Sequence, residues 1–254
     1  MPPSEKLFIG IDPTAGRHPF TYAILNWDCK LVTLGGGELE DVLALMDGSE
    51  VACVAVNAPQ RPNRGLVKAR LQKQIPTPGQ LRGADLRLAE HELRQHGIVI
   101  SPTPSRFEQC PAWMQMGFEL YRKLAEIGYH PYPAQEGTCQ WLETHPHAAY
   151  CTLLGQIPLP KPTLEGRLQR QLVLYEMEMG IKDPMNILEE ITRHKLLKGI
   201  LPSEIIYTAE ELDTLAAAFT AFLSVEKPEG VICVGNRQEG QIVLPVPELK
   251  DLYS

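Results

Sequence analysis

Four oxygen-bearing side chains stand where apolar runs of this chain stop or turn. Asp12 closes "KLFIGID", Asn57 closes "VACVAVN" and Glu143 closes "TCQWLE", while Asp213 lies beside the apolar stripe of "YTAEELDTLAAAFTAFLSV". Functional groups of an open α/β sheet gather at the carboxyl ends of its strands, so several of these four could converge on one spot. Hard oxygen donors in such a group suit Mg²⁺ or Mn²⁺. An ion of that kind bridges a phosphodiester and activates water by two-metal chemistry. Asn57 is the odd member, because an amide has a carboxylate's shape and an oxygen to offer but no full charge. The plain alternative for each is a turn or cap residue; for Asn57 that means a hydrogen bond to the turn before Pro59.

Cationic and imidazole groups surround this set in sequence. Lys161, Arg167 and Arg170 are candidate phosphate contacts: the two arginines are i, i+3 on one helix face, and Gly166 between them permits close backbone approach. In "LETHPH", His145 could act with Glu143 as a ligand or proton-transfer group, because i, i+2 spacing on extended chain faces one way; His147 reads as a surface or capping residue. Arg87, Glu90 and Arg94 share helical spacing, which fits either substrate contact or an internal ion-pair network. Trp113 and Met114 read as packing residues. From Gln60 to Phe107 there are nine Lys or Arg, Arg82 among them, against three acids, so this segment carries +6 and the rest of the −7 chain −13. Concentrated positive charge points to phosphate or nucleic acid, with a solvated helix face as the alternative.

The elements that must position these groups follow from the pattern. "LFIGI" reads as a buried strand, "FTYAILNWD" and "KLVTLGGGE" as antiparallel strands joined at Asp28-Cys29, and "LEDVLALMDG" as a helix closed by Gly48. "VACVAVNAP" is a continuous apolar strand of the kind covered on both faces. From Gln60 to about Glu136 the chain reads as a basic helical insertion after the fourth strand, with helices in "GADLRLAEHELRQHG" and "PAWMQMGFELYRKLAEIG". Then come a strand to Glu143, a helix, a helix capped by Thr163, a helix opened by the Thr208/Glu211 capping box, and a final hairpin. Within that last helix, Ala217 and Thr220 share the face of Asp213 and would let it approach a sheet closely. The whole is an α/β fold, one domain over residues 1–254, and its 44% apolar content is ample for a core. No apolar run reaches the roughly 20 residues of a membrane helix, no export signal is evident, and the six scattered cysteines lack metal or disulfide spacing. A cytoplasmic protein without a membrane partner is expected.

"GIDPTAG", "VAVNAP", "RLAEHELRQHGI" running on to "PTPS", "AWMQMGFELY", "LETHPHAAY", "KPTLEGRLQRQ", "ELDTLAAAFTAF" and "EGQIVLPV" together resemble the uncharacterised bacterial family of predicted nucleases known as domain of unknown function 429. The resemblance spans nearly the whole chain. It implies a ribonuclease H-like mixed sheet flanked by helices, akin to Holliday-junction resolvases, with Asp12 as the first-strand aspartate and Asp213 as the last-helix aspartate. Relatives usually have "DAP" where this chain has Asn57-Ala58-Pro59, so it departs from the family at an expected metal ligand. The reading that results is a metal-dependent nuclease using Mg²⁺ or Mn²⁺: Asp12, Glu143 and Asp213 catalytic; Asp12, Asn57 and Asp213 ligands; Arg87, Arg94, His145, Lys161, Arg167 and Arg170 toward DNA or RNA. The rival is a nucleic-acid or nucleotide binding protein that kept the fold and lost the chemistry, and Asn57 favours it. An actin-like phosphotransferase shares the "GID" strand but needs a second related domain, for which 254 residues leave little room.

Overall fold

A computed structural model of the chain describes residues 6–14, 19–46, 51–74, 83–134 and 139–254. Arg82 and Gly48, the expected helix stop, lie outside these. The strands are β1 (Leu7–Pro13), β2 (Phe20–Leu25), β3 (Leu31–Gly37), β4 (Val51–Val56), β5 (His130–Pro131), β6 (Gln140–Glu143), β7 (Ile232–Asn236) and β8 (Gly240–Leu244). They form one mixed sheet in the order β3-β2-β1-β4-β6-β8-β7, with β5 alongside the start of β6. β2 is antiparallel to β1 and β3, β1, β4, β6 and β8 run parallel, and β7 closes the far edge as an antiparallel hairpin with β8. Asn26 accepts from the Asp28 and Lys30 amides to make the tight β2–β3 turn, with Cys29 at φ 61°.

The helices are α1 (Leu39–Ala44), α2 (Leu66–Gln74), α3 (Leu88–Gln95), α4 (Ala112–Glu126), α5 (Pro146–Leu154), α6 (Leu164–Glu176), α7 (Asn186–Glu190), α8 (Arg193–Leu197) and α9 (Ala209–Glu226). Thr163 caps α6 by accepting from the Gly166 amide, and Thr208 and Glu211 form the reciprocal box at the start of α9. None of these helices is long and apolar enough to cross a membrane. The short helices α2, α7 and α8 were not expected, because they lack a marked apolar stripe; α2 is mostly exposed.

Strand alternation divides the core. Phe8, Ala23, Leu25, Cys53, Ala55 and Leu142 pack toward α9, whereas Ile9, Ile11, Val54, Val56 and Trp141 pack toward α4. The segment read as an insertion, Gln60 to about Glu136, therefore supplies a covering layer of the sheet through Leu120, Tyr121 and Leu124 of α4. On the other face α9 lies against β1 with no side chain between them at Gly10, where a Cβ would fall 2.2 Å from Thr214 O and 2.3 Å from Ala218 N. Glycine on the strand and alanine on the helix bring the backbones together, and that approach sets how far the end of β1 stands from the first turns of α9.

Candidate functional site

Asp12 shares the face of Phe8 and Gly10 and so points toward α9; Asn57, two residues beyond Ala55, follows the same alternation. Asn57 Nδ2 donates to Asp12 Oδ1 at 2.8 Å. Asp213, in the second turn of α9, faces the same spot, and Lys161 Nζ donates to its Oδ2. Asp12, Asn57, Asp213, Lys161, His145 and Arg170 all line one cavity of about 520 Å³, together with Thr14, Trp113, His147, Glu210 and the Pro158–Pro160 loop. Both aspartates are buried. Burial first, and the Asp213 charge second, push the Asp12 carboxyl well above the usual carboxylate range, against the Asn57 hydrogen bond and Lys161. Burial also raises Asp213, while Lys161 and then Arg170 pull it down. Burial would lower Lys161, but Asp213, Asp12 and Glu210 hold its ammonium above the ordinary lysine value.

The loop that carries Lys161 is fixed from behind. Arg170 is buried, stacks 5.3 Å over the Tyr150 ring, and donates through Nη1 to Leu159 O at 2.8 Å and Gly166 O at 2.9 Å. Gly166 packs so tightly that a Cβ would lie 2.0 Å from Pro160 O. Arg170 thus lines the cavity while its donors serve the loop. Arg167, half-buried on α6 with Nε lacking a hydrogen bond, does not line the cavity. His145 is half-buried, its Nδ1 has no hydrogen-bond partner, and burial, then the His147, Arg87 and Lys161 charges, hold it down at about 3. The imidazole is therefore neutral at physiological pH.

Glu143 stands apart from this group. Val56 is its register partner, so it shares the α4 side of the sheet, opposite Asn57. Both of its oxygens are engaged: Arg87 Nη2 donates to Oε1 at 2.5 Å, while Arg87 Nη1 and the Gln60 amide reach Oε2 at 3.1 and 3.0 Å. Arg87 also holds Glu90 through Nε at 2.8 Å and Glu239 O through Nη1 at 3.2 Å. Glu90 takes the Thr103 amide and hydroxyl, and Glu239 takes the Arg64, Leu66 and Leu88 amides. One cation and three carboxylates are thereby buried together, tying the basic segment to β6 and the β7–β8 hairpin. Arg87 belongs to this ion-pair network, and Arg94 lies exposed on α3 away from the cavity.

Sequence reasoning missed Glu210 and Glu239. Glu210 precedes Asp213 by three residues and so shares its helix face, a signal hidden by its place in the acidic first turn of α9. Glu239 sits in the hairpin turn, where an acid normally means solvent, yet it is fully buried.

Among the described residues no three His, Cys, Asp or Glu side chains converge closely enough to hold a metal alone. A hard cation here would draw on Asp12, Asp213 and, after a half-turn of the amide, Asn57 Oδ1. These are hard oxygen donors of the kind Mg²⁺ and Mn²⁺ take, and the Asp213 charge that raises the buried Asp12 carboxyl is one a cation there would offset. The model of the family described as protein of unknown function (DUF429) matches residues 10–234, and the chain belongs to that family. No curated protein and no solved structure matches it.

Proposed function

We propose that this protein is a metal-dependent phosphodiesterase acting on nucleic acid, built on a ribonuclease H-like fold. The observation that carries the reading is that Asp12 and Asp213, far apart in the chain and both buried, line one cavity. The fold assignment is supported by the topology: three antiparallel strands, a helix, then parallel strands that extend the sheet from β1. Asp12 and Asp213 hold the ion, which when bound would stabilise charge on the phosphodiester and activate water. Lys161 adds positive charge on the Asp213 side, and Arg170 keeps its loop in place. His145 lines the same cavity as a neutral imidazole and adds no charge to it.

A second reading, a binding protein without chemistry, is favoured by the Asn57–Asp12 hydrogen bond, which places an NH2 group where a further carboxylate would help a cation. The two readings separate on cleavage of a DNA and RNA panel in Mn²⁺. The nuclease reading expects weak cleavage by the wild type, loss of at least tenfold in Asp213→Asn, and a gain in Asn57→Asp that is abolished by adding Asp12→Ala. Oligonucleotide binding with no cleavage by the wild type or Asn57→Asp supports the binding protein instead.

A further inference from the structure

The acidic site already holds a cation of its own. Lys161 Nζ is paired with Asp213 Oδ2, and the residue is no loosely tethered surface lysine. It sits in "PLPKP", where Pro158, Pro160 and Pro162 each restrict the backbone. Arg170 grips Leu159 O, Thr163 Oγ1 donates to Pro160 O at 2.9 Å, and Gly166 abuts the same carbonyl. Five consecutive residues are thus braced so that one ammonium meets one carboxylate oxygen.

The remaining acceptors are few. Asn57 occupies Asp12 Oδ1 and Lys161 occupies Asp213 Oδ2, so among the described residues each carboxylate keeps one oxygen without a hydrogen bond. Glu143, the further carboxylate that the sequence pattern offered, is committed to Arg87 and the Gln60 amide on the other side of the sheet. Two free oxygens from two carboxylates serve one ion, and a second divalent ion at Asp213 Oδ2 would have to displace the ammonium.

We propose that the site takes a single divalent ion between Asp12 and Asp213, and that Lys161 is a built-in second cation holding the other position. The inference rests on the metal-site reading above and narrows it. In a two-ion site both cations clamp a phosphodiester's oxygens; here the ammonium would supply that charge without the ability to activate water. Lysine suits this role because it is a compact point charge. A phosphodiester is the substrate class such a pair fits, with a non-bridging oxygen facing ion and ammonium together.

The test is the stoichiometry of Mn²⁺ on the full chain, read by the loss of the free-ion electron paramagnetic resonance signal. The wild type and Lys161→Arg are expected to bind one ion per chain. Lys161→Met and Lys161→Gln are expected to bind two, the second using Asp213 Oδ2 and Glu210, which lines the same cavity. With the Lys161 side chain 43% exposed, both variants are expected to melt cooperatively near the wild type. Two ions on the wild type, or one ion on all four proteins, overturns the role given to Lys161 while leaving a metal site. No bound ion on any protein overturns the metal-site reading and this inference with it.

Discussion

Asp12 is the residue on which the electrostatics turn. Its carboxyl is raised in the fold by burial and by Asp213, so the folded state binds its proton more tightly than the unfolded chain does. Such a group costs nothing while both states are protonated. It destabilises increasingly as pH rises from the unfolded carboxylate value toward the raised one. In EDTA, Asp12→Asn is therefore expected to stabilise the protein, by on the order of 1–3 kcal/mol at about pH 8 and much less at about pH 5. The Asn57 donor keeps an oxygen acceptor in this variant, so the hydrogen bond survives. Urea unfolding at both pH values checks it, and destabilisation at the higher pH would mean that Asp12 is already satisfied by its neighbours. That Asp12 and Asp213 would line one cavity was legible in the sequence, because each follows or flanks an apolar pattern that fixes a face. Their pairing with Asn57 and Lys161 was not, since neither contact leaves a local signal in the chain. Asn57 was recognised as unusual, but that its NH2 turns to Asp12 is a matter of rotamer, which spacing does not encode.

Elements account for what sequence spacing misassigned. Glu143 ends its strand as expected, but a strand's last residue faces one side or the other according to register, and a slip of one residue reverses the face. Just past β6 the residue that follows on the α9 side is Thr144, whose hydroxyl donates to Val243 O at 2.8 Å. Register with β4 is a long-range property, so the periodicity of "TCQWLE" alone could not choose between them. Arg87 and Glu90 were legible as an i, i+3 pair, whereas their partners Glu143 and Glu239 lie on distant strands. Removing one partner from a buried ion network leaves uncompensated charge, so Arg87→Leu is expected to cost roughly 3–5 kcal/mol in urea unfolding. Glu143→Gln keeps the shape and is expected to leave Mn²⁺ affinity unchanged; a lost Mn²⁺ response with normal folding would return Glu143 to the site. The helix α2 carries a different expectation. From Gln60 to Gln74 there are five cations, Arg61, Arg64, Lys68, Arg70 and Lys73, and no acid. None of the five side chains has a carboxylate partner among the described residues. Arg64 and Lys68 line a second cavity of about 1070 Å³ with Asp85 on its wall. Neutralising Arg61, Arg64 and Lys68 together is expected to flatten the salt dependence of oligonucleotide binding by about two in log–log slope. An unchanged slope would place the nucleic acid elsewhere.

At the scale of the whole molecule, the sheet and α9 act as a single positioning device. The α/β class, the Thr163 cap of α6, the capping box of α9 and the closing hairpin could be read from the chain, because each is specified by nearby residues. The covering role of α4 and the buried ion network could not, because both depend on which strands become neighbours. The first strand and the last helix meet at Gly10: its missing side chain lets α9 touch β1, and Asp12 and Asp213 line one cavity beside a loop braced by Arg170. If Asp12 and Asp213 form a divalent-metal site, a crystal soaked in Mn²⁺ reveals it most directly through anomalous scattering. The predicted result is one peak between Asp12 and Asp213, about 2.0–2.2 Å from an oxygen of each as short carboxylate–metal bonds require, with Lys161 still on Asp213. A map without a peak at millimolar Mn²⁺, with the Asn57–Asp12 hydrogen bond unchanged, would contradict it.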